Sequence, residues 1–187
     1  LPLNYKHHLE SILEIQSPKD LGFILIQYCQ AVIELFHVER CGVLIPDSSI
    51  FMDSLFVRAT KENGNIEKKI FIPTPCLPWK WHNPALSTKT TGNIIYMPYI
   101  SSSHPYRYPM ENLFKCPVLA LAICPLVLND EVIGYLILVN EKKPRNFTKD
   151  EISLLEKVAG QVIKIIRPAL KMGVEENCDR IIETITK

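Results

Sequence analysis

The sequence predicts an α+β domain with a mostly antiparallel central sheet, helices packed on one face of the sheet and irregular loops on the other. Apolar residues make up 47% and charged residues 22% of the 187 residues, which is the range of a globular domain with a substantial core. Short apolar runs bounded by turn residues predict strands, and longer segments with apolar spacings of three and four predict helices. The predicted strands follow one another without helices between them. This order favours antiparallel pairing over βαβ units.

The first well-marked helix begins at Ser17-Pro18-Lys19-Asp20. A serine there accepts amide hydrogen bonds, proline suits the first turn, and an acid faces the positive end of the helix dipole. One apolar stripe consists of Leu21, Ile24, Leu25, Tyr28, Val32 and Leu35, and a second consists of Phe23, Ile26 and Ile33. A helix that is apolar on two sides has two surfaces to pack against.

Five strands are predicted, and four of them form two hairpins. They span residues 38–45, 51–60, 66–72, 118–128 and 132–140. Glu62-Asn63-Gly64-Asn65 predicts the first hairpin turn and Asn129-Asp130-Glu131 the second, because Asn-Gly and similar pairs tolerate positive φ. In the second hairpin we expect Ile123, Leu126, Val132, Ile133, Leu136 and Leu138 to be buried.

The closing helix begins with Thr148-Lys149-Asp150-Glu151, which has the threonine–glutamate spacing of a capping box. Pro168 predicts an interruption, followed by another helix in which Val174, Cys178, Ile181 and Ile185 keep heptad spacing. The closing helix also carries a second apolar stripe of Leu154, Val158 and Ile165. Together with the second stripes of the two long helices, Val174, Ile181 and Ile185 predict a two-fold homodimer through the terminal helices. The alternative is that the second stripes pack only against the chain's own helices.

Residues 73–117 differ from their surroundings in composition. Nine of the 14 prolines lie between 73 and 125, and the segment holds both tryptophans, four of the seven tyrosines, and four cationic residues against Glu111 alone. Long irregular segments inside compact domains are uncommon unless they serve a function, and aromatic walls with cationic groups suit a ligand bearing a ring and an acid group. The predicted ligand-binding residues are Trp79, Trp81, His82, Tyr96, His104, Tyr106, Arg107, Tyr108 and Cys116, with Arg107 as the partner of a carboxylate or phosphate. The alternative is that the aromatics cover the sheet and the cations are solvated.

Two stretches resemble a known family. The run Cys124-Pro125-Leu126-Val127-Leu128 through Ile133-Gly134-Tyr135 to Asn140 resembles the hairpin of GAF domains, and Phe147-Thr148-Lys149-Asp150-Glu151 with Leu154-Leu155 and Val158-Ala159-Gly160-Gln161 resembles their closing helix. The resemblance covers residues 17–167. It implies a sensor domain in a signalling protein, with helices on the dimer side and a small-molecule pocket beneath the irregular segment. Residues 1–16 and 168–187 would then be linker helices.

Several chemistries are disfavoured by the sequence. Phosphate-loop, nucleophile-elbow and zinc-protease motifs are absent, so we predict no catalytic residue, and the spacing of Cys76, His82, His104 and Cys116 matches no standard metal site. Neither histidine follows a cysteine, unlike the Cys-His pair typical of bilin-binding GAF domains. A net charge of +1 gives no general argument for nucleic acid, and no apolar run is long enough to enter a membrane. Scattered cysteines without a signal core predict reduced thiols in the cytoplasm.

The sequence therefore predicts a regulatory small-molecule sensor that relays its ligand state through terminal helices and is not itself an enzyme. It leaves the ligand and any cofactor unassigned. One alternative is a ligand-free dimerisation module of the same fold. Another is a thiol-dependent enzyme similar to free methionine sulfoxide reductase, using Cys76 and Cys116.

Overall fold

The computed structural model describes residues 18–45, 55–61, 64–68 and 94–185, with side chains for 21–45, 56–61, 94–130 and 132–168. In chain order the elements are helix α1 (Pro18–Phe36), strands β1 (Arg40–Ile45), β2 (Leu55–Thr60), β3 (Gly64–Lys68) and β4 (Ile95–Met97), helix α2 (Arg107–Phe114), strands β5 (Ala120–Leu128) and β6 (Glu131–Asn140), and helix α3 (Lys149–Ile185). The helix predicted for residues 1–16, and Cys76, Trp79, Trp81 and His82, lie outside the described residues.

The strands form one six-stranded sheet in the order β3-β2-β1-β6-β5-β4, and every neighbouring pair is antiparallel. This confirms the predicted fold class. β4 was missed by the sequence pattern because three residues are too few to display an alternation. It pairs Tyr96 with Ala122 and forms one edge of the sheet.

Local sequence explains the two sharpest chain reversals near the end of the domain. Asn129 and Asp130 have φ of 52° and 64°, as a two-residue type I′ hairpin requires, and both residue types tolerate that region. The Thr148 amide donates to Glu151 Oε2 at 2.8 Å, and the Glu151 amide donates to Thr148 Oγ1 at 3.2 Å. The predicted capping box is thus confirmed, and it fixes where α3 begins.

The sheet is buried on both faces. We call the face covered by α1 and α3 the helix face; its core includes Leu25, Tyr28, Phe36, Cys41, Val57, Leu126, Leu136, Leu155 and Val162. We call the opposite face the loop face; its core comprises Leu44, Phe56, Ile100, Met110, Leu113, Phe114, Cys116, Val118, Leu121, Ile123, Ile137 and Val139. The two long helices share one face as predicted, whereas α2 lies on the other.

Two expectations about these elements were wrong. Pro168 lies inside α3, which is one helix of 37 residues and not two; a proline removes one backbone hydrogen bond, and the remaining bonds hold the helix together. Val132 is 38% exposed and Ile133 only partly buried. A register shift pairs Leu126 with Gly134 but Val127 with Val132, so the alternation is broken at this bulge.

None of the helices within the described parts of the chain is both long and apolar enough to cross a bilayer.

Candidate ligand-binding site

The candidate site lies on the loop face, which is covered by residues 98–118, named here the loop segment. Its two ends meet: the Ile100 amide donates to the Leu119 carbonyl at 2.8 Å, and the Leu119 amide donates to the Asn140 carbonyl at 2.9 Å. The segment is therefore an excursion that leaves β4 and returns directly to β5. Closed ends of this kind are typical of compact surface loops with functional roles.

Helix α2 forms the centre of this cover. A turn precedes it, in which the His104 amide donates to the Ser101 carbonyl at 3.1 Å and the Arg107 amide donates to the His104 carbonyl at 3.0 Å. The helix ends at Lys115, which adopts the left-handed conformation with φ of 54°. Its buried side chains are Pro109, Met110, Leu113 and Phe114. These pack onto the sheet, so the inner surface of the cover is apolar.

Beneath α2 the middle of the sheet is filled by two aromatic rings. Phe56 and Phe114 meet edge to face with centroids 5.4 Å apart, and both are fully buried. Gly42 makes this arrangement possible, because a Cβ there would lie 2.8 Å from Cε2 of Phe56. The ring of β2 thus lies across the bare backbone of β1. The described part of the loop face is a packed core.

Arg107, the predicted anion partner, is already engaged by protein groups. Its Nε donates to Glu111 Oε1 at 2.8 Å, and its Nη1 donates to the Ile100 carbonyl at 3.4 Å. Glu111 Oε1 also accepts from the Val118 amide at 3.3 Å. Glu111 therefore joins both ends of the loop segment to α2, and an anionic ligand would have to compete with it for the guanidinium.

His104 and Tyr106 are brought together. Their ring centroids are 5.4 Å apart, and His104 Nδ1 accepts from the Tyr106 amide at 3.2 Å. In this contact Nδ1 serves as the acceptor of the ring. Burial raises the pKa of Tyr106, so the phenol stays protonated near neutral pH.

Tyr96 and Tyr108 do not join this pair in one wall. Tyr96 is opposite Ala122 in the register, which places it on the helix face, and it is 51% exposed. Tyr108 is 68% exposed on the outer side of α2. Both were predicted from composition alone, and a count of aromatics carries no information about which face each residue takes.

Cys116 lies in a polar corner of the loop face that the sequence did not suggest. Burial raises the pKa of its thiol to about 12, with smaller and opposing effects from Arg40, Glu141 and Arg58. Arg40 donates from Nε and Nη2 to Glu141 Oε2 at 3.0 and 2.9 Å. A thiol with this pKa is neutral near pH 7 and is a poor nucleophile.

The signal that could have located this corner is a charged residue within an apolar strand. Arg40 begins β1 and Arg58 lies within β2, and charged side chains are seldom buried without a partner. Arg58 Nη1 donates to the Leu113 carbonyl at 2.9 Å, near the C-terminal end of α2. The two arginines thus tie strands of the sheet to the cover and to Glu141.

Metal ligation finds no support in the described parts of the chain, where no group of three or more His, Cys, Asp or Glu side chains is arranged to hold an ion. Cys29, Cys41, Cys116 and Cys124 are free and buried, as expected for reduced thiols that behave as small apolar side chains. Burial raises the pKa of Cys124 to about 12 as well.

Solved structures similar to this chain include GAF domains and a domain of a sensor histidine kinase protein. The chain is similar to the blue-light absorbing form of the PixJ GAF domain of Thermosynechococcus elongatus (17% identity, 84% of this chain and 92% of that one, TM-score 0.56). It is also similar to the GAF domain of an Acinetobacter phosphoenolpyruvate-protein phosphotransferase (17% identity, 90% of this chain and 96% of that one, TM-score 0.56). A third similar structure is the domain of a two-component sensor histidine kinase protein from Sinorhizobium meliloti 1021 (15% identity, 83% of this chain and 94% of that one, TM-score 0.52).

These identities show the fold alone, and no curated protein matches the sequence significantly. The family model for the GAF domain, however, matches residues 20–166. That range runs from the first turn of α1 to Ile166 of α3, which is buried, and includes the whole sheet. The chain therefore belongs to the GAF domain family.

Proposed function

We propose that this chain is the regulatory sensor domain of a cytoplasmic signalling protein, which binds a small molecule on the loop face and relays its presence through the terminal helices. The observation that carries the proposal is the division of the sheet. Helices α1 and α3 pack on one face and the loop segment covers the other. A ligand beneath the cover would therefore be separated from these helices by a single layer of sheet.

The proposed ligand carries an aromatic ring and an acid group. His104 and Tyr106 supply a ring pair at the edge of the cover, and we keep Trp79, Trp81 and His82 as candidate walls. The acid group would replace Glu111 as the partner of Arg107. Such an exchange links binding to the loop segment, because Glu111 also holds the Val118 amide.

The relay proposal rests on the contact between α1 and α3. The Tyr28 hydroxyl donates to the Val158 carbonyl at 3.1 Å within the buried core. Ile33, Val158 and Ile165 of the predicted dimer stripes are buried inside one chain. A homodimer would therefore use Phe23, which is 60% exposed, and the part of α3 that follows Arg167, where the heptad-spaced residues lie.

A second candidate is a ligand-free dimerisation module, which the closely packed loop face favours. Phe56, Phe114 and Ile137 are fully buried there by protein alone. We propose no enzymatic activity. A thiol-dependent reductase needs a thiolate, and the raised pKa of Cys116 works against one.

The test is a thermal-shift screen of nucleotides, aromatic acids and haem, preceded by native mass spectrometry and an absorption scan of freshly purified protein. A ligand at about a hundred times its Kd adds ~2.7 kcal/mol of stability. Arg107→Ala should remove most of the gain for anionic ligands, whereas Lys115→Gln, the matched loss of a cation from the same segment, should retain it. A hit that is indifferent to Arg107 contradicts the anionic site.

Absence of any bound mass, visible band or thermal shift favours the dimerisation module. Light scattering then decides its central claim, using the full chain and a chain truncated after Arg167. A dimerisation module requires the full chain to be a dimer at tens of micromolar. If the full chain and the truncated chain are both monomers, this function is excluded.

A further inference from the structure

Arg145 joins three separate parts of the fold. Its amide donates to the Pro98 carbonyl at 2.9 Å, at the start of the loop segment. Its Nη1 donates to the His37 carbonyl at 3.4 Å, just past the end of α1, and its Nη2 donates to Glu151 Oε1 at 2.6 Å, in the first turn of α3. The loop segment therefore meets this residue at its backbone, and both terminal helices meet it at its side chain.

The arginine is held firmly enough to transmit a displacement. Its guanidinium carbon lies 4.9 Å above the centre of the buried Phe147 ring, and its side chain is only 17% exposed. Glu151 also accepts from the Thr148 amide, so the acid is fixed by the capping box. Burial alone favours its neutral form, but the Thr148 hydrogen bonds and the Arg145 charge outweigh this and lower the pKa of Glu151.

A continuous series of contacts leads from α2 to this arginine. Glu111 binds Arg107, and Arg107 binds the Ile100 carbonyl. Ile100 lies two residues from Pro98, whose carbonyl accepts from the Arg145 amide. The series lies at the end of the sheet where β4 and β6 finish and β1 and β5 begin.

We propose that Arg145 is a positioning residue that couples the loop segment to the C-terminal end of α1 and the N-terminal end of α3. The inference rests on the proposed relay function. It assigns that relay to these polar contacts at one end of the sheet. Loosening of α2 releases Ile100 and Pro98, and Arg145 passes the release to both helices. Spatial continuity alone does not establish coupling, so the test measures coupling directly.

The experiment is amide hydrogen exchange by mass spectrometry on the ligand-free full chain. Glu111→Ala is the perturbation, because it removes the acceptor for both Arg107 and the Val118 amide. Exchange is followed at residues 33–39 and 149–156 in three backgrounds: wild type, Arg145→Gln, and Lys142→Gln. The last is the matched control, since Lys142 is an exposed cation in the same connection.

In the wild-type and Lys142→Gln backgrounds, Glu111→Ala should speed exchange at both helix ends by about three- to tenfold, which lies within the range of couplings between groups in one network. In the Arg145→Gln background the same change should alter exchange there by less than about 1.5-fold, while exchange in residues 98–118 still rises. The proposal is overturned if Glu111→Ala speeds exchange at the helix ends equally with and without the Arg145 side chain. It is also overturned if Lys142→Gln abolishes this effect as fully as Arg145→Gln does.

Glu151→Gln provides a second measurement in case Arg145→Gln does not fold. Glutamine keeps one acceptor oxygen, which can hold the Thr148 amide as in other capping boxes, and it loses the ionic contact to Arg145. Glu111→Ala should then lose its effect at residues 149–156 and keep it at residues 33–39. Retention at both ends contradicts the coupling. No ligand enters these measurements, so a failed ligand screen and a failed coupling test are separate results.

Discussion

The buried hydrogen bond between α1 and α3 allows a quantitative prediction for Tyr28→Phe. The Tyr28 ring is almost fully buried, and its hydroxyl donates to the Val158 carbonyl at 3.1 Å. Phenylalanine keeps the ring and removes only the hydroxyl. Val158 retains its acceptor role within α3, so no buried group loses its last partner. The expected cost is therefore that of one net hydrogen bond, about 1 kcal/mol.

Urea unfolding followed by circular dichroism measures this cost as a lower midpoint at unchanged slope. For a domain of this size, 1 kcal/mol corresponds to about 2–4 °C in Tm. Tyr28→Leu is the companion variant: it also removes the ring and leaves a cavity, so it should cost about 2–5 kcal/mol. A Tyr28→Phe protein as stable as wild type would show that the bond contributes nothing, and a loss above about 3 kcal/mol would show that the hydroxyl holds more than one partner.

Tyr28 also makes the free energy of unfolding depend on pH in the alkaline range. Burial, with smaller effects from Cys41 and Cys29, raises the pKa of Tyr28 well above its ordinary value of 10.0. The folded state therefore keeps the proton that the unfolded chain releases. The contribution of the Tyr28 phenol to the free energy of unfolding is complete below pH 10 and is lost as pH rises above it. Between pH 10 and 11.5, wild type should lose stability faster than Tyr28→Phe. Parallel curves would contradict the assigned cause.

Three further predictions concern packing and reactivity. Gly134→Ala should destabilise the domain by at least about 2 kcal/mol in urea unfolding, because a Cβ there lies 2.6 Å from the Leu44 carbonyl oxygen; Gly160→Ala, which meets nothing within 4 Å in the middle of α3, should stabilise it by up to about 1 kcal/mol. If both changes have the same sign, the close approach at Gly134 is not real. Leu136→Asp should leave no cooperative thermal transition, since an unpaired buried charge costs several kcal/mol, and a soluble, cooperatively melting variant would refute its place in the core. Cys116 should resist iodoacetamide at pH 8 in the folded protein and react in urea; rapid labelling of the folded chain would contradict its raised pKa.

Much of the fold could be predicted from the sequence because its strongest signals are local. The capping box, the Asn129-Asp130 turn and the apolar spacing of α1 each involve residues a few positions apart, and each is found as predicted. β4 and α2 were missed, since three and eight residues among prolines produce no clear period. The candidate site was less predictable. Whether Tyr96 shares a face with Tyr106, or Arg107 already has an acid beside it, depends on register and on the turns of the loop segment.

The burial of the sheet on both faces has a consequence for how its strands find their alignment. Sheets with one wet face are aligned by hydrophobic alternation, because a slip by one residue exposes apolar side chains. In the centre of this sheet, residues on either face of β1, β5 and β6 are buried, so a slip would exchange one apolar set for another. The strands are distinguished instead by two places where a methyl group is missing. Gly42 leaves room for the Phe56 ring and Gly134 for the Leu44 carbonyl, so an alignment that placed a side chain at either position would bring a β-carbon into contact with these groups.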